Sequence, residues 1–172
     1  FFAAPRMNAK TVPLRFPGQD VVVSRNSIHG NIAVTRILDQ LNFYENGLLL
    51  GAENEQMASE HLVHFPMLAH PDPKHILLIG NGFNGALGEI LRHAPDSVDY
   101  VELDPQLIDL AKQYAAPVRR QALADPRVNT VFADGRFFLN QLAAKGPAVA
   151  YDVVIINLPS PGTALINRFY SR

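Results

Sequence analysis

Cysteine is absent from this sequence of 172 residues, and its absence excludes three kinds of chemistry. The chain has no disulfide framework, no metal site built on thiolates and no cysteine nucleophile. A basic surplus is also absent, because 15 Lys and Arg residues stand against 16 Asp and Glu residues. Without extra positive charge to follow a phosphate backbone, we do not expect a nucleic-acid partner.

Long apolar runs are missing as well. The longest, at 76–79 and 153–156, have the length of core strands and fall far short of the ~20 residues that cross a bilayer. The chain opens on Phe1 rather than Met and shows no signal-peptide pattern. We therefore expect a cytoplasmic domain cut from a longer protein, and the sequence leaves open whether that protein is anchored in a membrane.

The N-terminal part has the texture of a small β-domain. Residues 1–19 contain three prolines and are interpreted as an irregular arm. Short β-branched runs follow between residues 20 and 51, and Asn46-Gly47 between apolar flanks is a strong signal for a two-residue hairpin. A connecting helix completes this domain, which we place at 20–70.

The connecting helix is predicted from about residue 53 to residue 68. Asn54 is a plausible N-cap. The helical period places four residues on one face, which we expect to be buried, namely Ala58, Leu62, Phe65 and Ala69. Pro71 and Pro73 then mark the boundary to the second domain.

From residue 71 to residue 172, strands alternate with helices. Strands are predicted near 75–79, 98–102, 128–132 and 152–157, and helices near 84–93, 105–115, 136–144 and 163–170. This alternation predicts an α/β fold with a Rossmann-like parallel sheet. Four strands are few for such a sheet, so the domain reads as C-terminally incomplete. The bare edge, together with the β-domain, leads us to expect a homo-oligomer.

Three glycines follow the first predicted strand of that sheet. Gly80, Gly82 and Gly85 spell G-x-G-x-x-G between a strand and a helix. Glycines let a backbone turn tightly and approach a ligand, and the following helix N-terminus carries a partial positive charge. The pattern alone is weak, because glycine turns also serve to pack a helix on a strand, but this context favours a nucleotide or nucleoside site.

Two acids close the next two strands. Glu102 can accept hydrogen bonds from a ribose diol, and Asp134 stands before Gly135 at the end of the third strand. Two ligand classes fit this arrangement, an NAD-type dinucleotide and an S-adenosyl compound. Asp134 favours the second, because an acid there can accept from an adenine amino group. It can equally cap the following helix.

Several motifs, in one order along the chain, resemble those of the spermidine synthase family. They are SIHGN at 27–31, FYENGLLL at 43–50, NEQMASE at 54–60, HFPML at 64–68, LLIGNGFNG at 77–85, VELD at 101–104, ADPRV at 124–128, DG at 134–135 and YDVVII at 151–156. This family comprises aminopropyltransferases that use decarboxylated S-adenosylmethionine. The resemblance implies a small β-domain before a methyltransferase-like Rossmann domain. It also implies a nucleoside substrate rather than a tightly bound cofactor, and a polyamine acceptor.

The departures from that family pattern fall on the acceptor side. Asn157 stands where the family carries its general base, and Ser160 where a second acid holds the amine. Phe83 replaces an aspartate of the glycine loop. Carboxylates attract a cationic polyamine and can take its proton, whereas an amide has no usable basicity. The candidate catalytic residues are Asn157, because the resemblance places it at the position of the general base, and Glu60, an acid of the acceptor side that is retained.

Two alternatives remain open at this stage. The chain could be a non-catalytic relative that binds a nucleoside or serves as a scaffold, or a methyltransferase that uses S-adenosylmethionine itself. A metal site is not expected, because His61 and His64 share a predicted helix but no third ligand can be assigned.

Overall fold

The computed structural model describes residues 11–52, 56–144 and 150–158. Its strands are β1 (Asp20–Asn26), β2 (Asn31–Ile37), β3 (Gln40–Glu45), β4 (Leu48–Ala52), β5 (His75–Ile79), β6 (Ser97–Glu102), β7 (Val128–Phe132) and β8 (Val153–Ile156). Its helices are α1 (Gln56–Ala69), α2 (Ala86–Leu91), α3 (Pro105–Tyr114), α4 (Pro117–Leu123) and α5 (Gly135–Ala144). Short 3₁₀ turns lie at Pro13–Arg15 and Gly82–Asn84.

The first four strands form an antiparallel sheet in the order β1-β2-β3-β4. The predicted hairpin joins β3 to β4, and both turn residues have positive φ, 52° at Asn46 and 82° at Gly47. That backbone is the type I′ geometry that matches the twist of paired strands. Across the neighbouring pair, Glu45 lies opposite Ile32.

The remaining strands form a parallel sheet in the order β7-β6-β5-β8. One face, with Leu78 and Tyr100, belongs to the large core that also contains Ile32 and Phe43 of the antiparallel sheet. The opposite face, with Leu77 and residues such as Ile79 and Val101, packs against α5. The predicted α/β architecture is confirmed, with an N-terminal antiparallel sheet beside a parallel sheet.

The prediction of which face of α1 is buried is wrong. The helix buries Ser59, Val63 and Met67, whereas Phe65 is 73% exposed. The apolar pattern predicted the wrong face because the close contact of α1 with the glycine loop is made by a small polar residue. Ser59 Oγ donates to the Asn84 carbonyl at 3.1 Å, close to Gly85. The predicted cap Asn54 lies outside the described residues.

Two further elements differ from expectation or escape description. Helix α4 was not predicted; Pro117 occupies its first turn, a position that proline favours. The helix expected at 163–170 lies outside the described residues. Within the described ranges, no helix is both long and apolar enough to cross a bilayer. No group of three or more metal-ligating side chains occurs there either.

Candidate functional site

The loops that follow β5, β6, β7 and β8 meet at the carboxyl edge of the parallel sheet. Gly80 N–H donates to the Val101 carbonyl at 2.8 Å, and Ala133 N–H donates to the Glu102 carbonyl at 3.0 Å. Asn157 N–H donates to the Ile79 carbonyl at 2.8 Å. The structure therefore brings the glycine loop, Glu102, the Asp134 turn and Asn157 to one crevice, where open α/β sheets bind ligands.

Glu60 is the exception among the candidate residues. It lies on α1, and its Oε1 accepts a hydrogen bond from Gln56 of the same helix at 2.9 Å. Among the described residues, no hydrogen bond joins it to the crevice loops. The sequence alone could not have revealed this, because the position depends on how α1 is rotated against α2.

The glycine loop requires glycine at its two ends. Gly80 has φ of 75°, and a Cβ there would lie 2.9 Å from the Asn157 carbonyl oxygen. Gly85 has φ of 117°, and a Cβ there would lie 2.9 Å from Ser59 Oγ. Both the backbone conformation and the space exclude larger side chains. The loop is thus clamped between α1 and the segment after β8.

Glu102 is the most elaborately held side chain of the crevice. Its Oε2 accepts from the Tyr100 hydroxyl at 2.7 Å and from the Asn81 N–H at 3.1 Å. Its Oε1 accepts from the Leu103 N–H at 2.8 Å. Burial raises the pKa of the Glu102 carboxyl, and these hydrogen bonds act in the opposite direction. The result is a buried acid with a fixed orientation beside the glycine loop.

Asp134 caps helix α5. Its Oδ1 accepts from the Arg136 N–H at 2.9 Å and from the Phe137 N–H at 3.1 Å. Gly135 begins the helix so close to β5 that a Cβ there would lie 2.6 Å from a methyl carbon of Ile79. The capping role, left open by the sequence, is therefore present, and it fixes the carboxylate at the rim of the crevice.

Asn157 makes a structural contact with the loop. Its Nδ2 donates to the Asn81 carbonyl at 3.0 Å. An amide can donate here, whereas a carboxylate would face the same carbonyl as a second acceptor. Ser160, the other altered position, lies outside the described residues.

Comparison with known proteins agrees with this geometry. Residues 55–172 match the spermine/spermidine synthase domain. The chain belongs to the spermine/spermidine synthase family. Among its relatives, polyamine aminopropyltransferase 2 of Bacillus anthracis is 34% identical over 151 residues, which are 86% of this chain and 41% of that protein. Spermidine synthase 2 of Arabidopsis thaliana is 33% identical over 83% of this chain and 38% of its own length.

Solved spermidine synthases share the fold. One in complex with the transition-state analogue AdoDATO superposes with a TM-score of 0.78 at 28% identity, covering 88% of this chain and 51% of that one. The spermidine synthase of Thermotoga maritima gives a TM-score of 0.72 at 30% identity, over 80% and 47% of the two chains. The chain thus spans about half the length of these synthases.

Phe83, where the resemblance implies an aspartate of the glycine loop, lies in the core. This side chain is 1% exposed, and its ring meets that of Phe43 edge-on with centroids 5.0 Å apart. It therefore joins the core between the two sheets instead of presenting a polar group to the crevice. A contact of this geometry favours the packing of two aromatic rings.

Sequence reasoning missed Tyr100 and Asn81, which hold Glu102. Tyr100 stands two residues before Glu102 on β6, so both side chains lie on the same face of the strand. That spacing was available as a signal. Asn81 contributes its backbone N–H and has φ of 43°, a conformation that the sequence does not reveal.

Glu45, an acid near Glu102 and Asp104, was also not predicted from the sequence. The pKa of the Glu45 carboxyl is raised to about 7, first by burial and then by the charges of Glu102 and Asp104. Asp104 itself caps α3 and accepts a hydrogen bond from the Ser27 hydroxyl. No described Lys or Arg forms an ion pair with any of these three acids, so no cation of the described residues offsets the repulsion between their charges.

Replacing Glu45 with glutamine is expected to stabilise the protein at alkaline pH. A pKa raised in the folded state means that stability is fully present below the unfolded pKa and is lost as the pH rises through about 7. Each pKa unit corresponds to about 1.4 kcal/mol, and solvent screening reduces this value for a partly exposed group. We therefore expect Glu45→Gln to raise the free energy of unfolding by roughly 1–2 kcal/mol at about pH 8 and by almost nothing at about pH 4.

Urea denaturation at the two pH values measures this difference. Asp39→Asn removes the same charge from an exposed turn before β3 and serves as the matched control, for which no such pH-dependent gain is expected. If the gain in stability of Glu45→Gln over wild type is no larger at about pH 8 than at about pH 4, the repulsion between Glu45 and the other two acids is contradicted.

Proposed function

We propose that this chain binds decarboxylated S-adenosylmethionine and serves aminopropyl transfer to a polyamine acceptor. In this proposal Glu102 accepts from the ribose hydroxyls and Asp134 from the adenine amino group. The loop from Gly80 through Gly82 to Gly85 holds the aminopropyl tail, and Gly135 lets α5 start close to the sheet. The buried, oriented carboxylate of Glu102 beside that loop is the observation that carries the proposal.

The chemistry of such a transfer defines what the acceptor side must supply. The amine nitrogen bonds to the propyl carbon next to the sulfonium, the carbon–sulfur bond breaks, and the thioether methylthioadenosine leaves. The amine must give up a proton for its lone pair to attack. Asn157 cannot take that proton, so it is assigned to positioning the glycine loop through Asn81. Glu60 remains the candidate for attracting the cationic acceptor.

A turnover assay tests the proposal. The chain is incubated with decarboxylated S-adenosylmethionine and putrescine, and methylthioadenosine release is measured alongside its binding by calorimetry. Binding together with release at ordinary enzyme rates is the expected result. If no nucleoside binds, the proposal is wrong. Binding without release would instead favour the second candidate function.

That second candidate is a non-catalytic nucleoside-binding domain. Two observations favour it: Phe83 is withdrawn into the core against Phe43, and Asn157 is engaged with the glycine loop. Both occupy positions where the family carries acids for the acceptor. In this alternative the nucleoside half of the site is retained while the acceptor half has become structural.

Self-association remains a proposal of the same kind. Among the described strands, β8 pairs with β5 on one side only, and such edges are prone to pairing with another chain. Light scattering at micromolar concentrations would distinguish an oligomer from a monomer of 19.0 kDa.

A further inference from the structure

Glu45 is a partly buried titratable group that the proposed chemistry does not use. It is the last residue of β3 and lies opposite Ile32 of β2. Phe43, two residues earlier on the same strand, and Ile32 both belong to the core shared with the parallel sheet. Side chains two apart on a strand share a face, so the Glu45 side chain is on the sheet face that packs toward the parallel sheet.

Two contacts join the antiparallel sheet to the parallel sheet, one on each side of Glu45. On the β4 side, Asn81 Nδ2 donates to the Leu50 carbonyl at 2.5 Å, and the Asn81 N–H reaches Glu102. On the β1–β2 side, the Ser27 hydroxyl donates to Asp104. Strand β3 lies between β2 and β4 in the sheet. The end of β3 therefore lies between these two contacts, near Glu102 and Asp104, whose charges act on Glu45.

We propose that Glu45 is a specificity residue of the nucleoside site that favours a sulfonium ligand over the corresponding thioether, whose sulfur is uncharged. This inference rests on the proposed function, because it requires the nucleoside to bind at Glu102. The crevice itself is assigned without reference to the acids, by the loops that meet at the carboxyl edge of the parallel sheet.

The physical reason is charge balance in a partly buried site. Three carboxylates share this region, and no described cation pairs with them. A ligand whose sulfur is uncharged leaves their repulsion in place around the sulfur and removes water that screens it. A sulfonium ligand instead brings a positive charge into their combined field, where the lowered dielectric strengthens the attraction. Product release would benefit in turn, because loss of the aminopropyl group converts the sulfonium into a neutral thioether.

The proposal is tested with two ligands that differ by one methyl group and one charge. They are decarboxylated S-adenosylmethionine and its demethylated thioether, S-adenosyl-3-thiopropylamine. Their dissociation constants are measured by calorimetry at about pH 8, where Glu45 is ionised. We expect Glu45→Gln to lower the ratio of sulfonium to thioether affinity by roughly three- to ten-fold. Asp39→Asn, with the same charge removed from an exposed turn, should leave the ratio unchanged.

The pH dependence supplies a second readout. In the wild type the preference for the sulfonium should rise between about pH 6 and about pH 8 as Glu45 ionises, and in Glu45→Gln that rise should disappear. Besides Glu102 and Asp104, the titratable or charged side chains near this end of the neighbouring strands are Arg25 of β1, His29 of the loop before β2 and Tyr100 of β6. A His29→Gln variant that keeps the rise shows that the histidine is not its source; loss of the rise in that variant counts against Glu45.

The outcomes separate the two proposals. If neither ligand binds the wild type, the proposed function fails, and this inference fails with it. If both ligands bind but Glu45→Gln leaves their affinity ratio unchanged at about pH 8, the proposed function stands and Glu45 is not a specificity residue. Denaturation of the variant, which is expected to be at least as stable as wild type at that pH, guards against misfolding as the cause of a change.

Discussion

Glu102→Ala is expected to lower the affinity for methylthioadenosine by roughly 100-fold or more. A hydrogen bond to a charged group contributes about 1.5–3 kcal/mol, and a ribose diol can make a pair of them to one carboxylate. The side chain is already oriented by Tyr100, Asn81 and Leu103 before ligand arrives. Little ordering cost therefore offsets the bonds that the ligand makes.

Calorimetric titration of methylthioadenosine into wild type and variant measures this loss. Asp109→Ala is the matched control, since Asp109 is an exposed acid on α3 outside the crevice, and its affinity should equal that of the wild type. Because Glu102 also accepts from Tyr100, the folding of the variant is checked by urea denaturation. Equal affinities of folded Glu102→Ala and wild type would remove Glu102 from the ribose site.

The parallel sheet was predictable because its strands are short runs of buried apolar residues. The runs at 76–79 and 153–156 became β5 and β8, and the acid at the end of β6 is Glu102, as the alternation predicted. Parallel strands covered on both faces read as continuous apolar segments. The glycine turn and the Asn46-Gly47 hairpin were predictable for a different reason, since each needs a backbone conformation that favours those residues.

The rotation of α1 was not predictable by the same reasoning. Its inward face is selected by the close approach of Ser59 to Gly85, which favours a small side chain over an apolar one. The exposed Phe65 instead gave the stronger apolar signal. Helical periodicity weighs hydrophobicity alone. Where the size of a side chain decides which face is buried, the periodicity predicts a neighbouring face of the helix instead.

The acids around Glu102 were only partly predictable, because their grouping depends on how the two sheets meet. Glu45 ends a strand of the antiparallel sheet, whereas Glu102 ends a strand of the parallel one. The contacts that set their spacing, Ser27 to Asp104 and Asn81 to Leu50, join residues far apart in sequence. No local pattern in the sequence reports such a juxtaposition.

Tyr100→Phe is expected to destabilise the protein by about 2–4 kcal/mol at neutral pH. The lost hydroxyl donates to Glu102 Oε2 at 2.7 Å and accepts from the Gly82 N–H at 3.0 Å. Removing it weakens the support of a buried carboxylate and leaves a buried N–H without its acceptor, each at a cost of about 1–3 kcal/mol. Tyr100 is fully buried, so water cannot easily replace the missing group.

The pH dependence of this loss distinguishes the hydrogen bond from simple packing. The Tyr100 hydroxyl lowers the pKa of Glu102 against the raising effect of burial, so the phenylalanine variant should have a Glu102 pKa raised further. A carboxyl pKa raised in the folded state costs stability as pH increases. The destabilisation by Tyr100→Phe should therefore be greater at about pH 8 than at about pH 4. Urea denaturation at both pH values measures it, and a loss of equal size at both would mean that Tyr100 supports packing alone and leaves the charge of Glu102 unaffected.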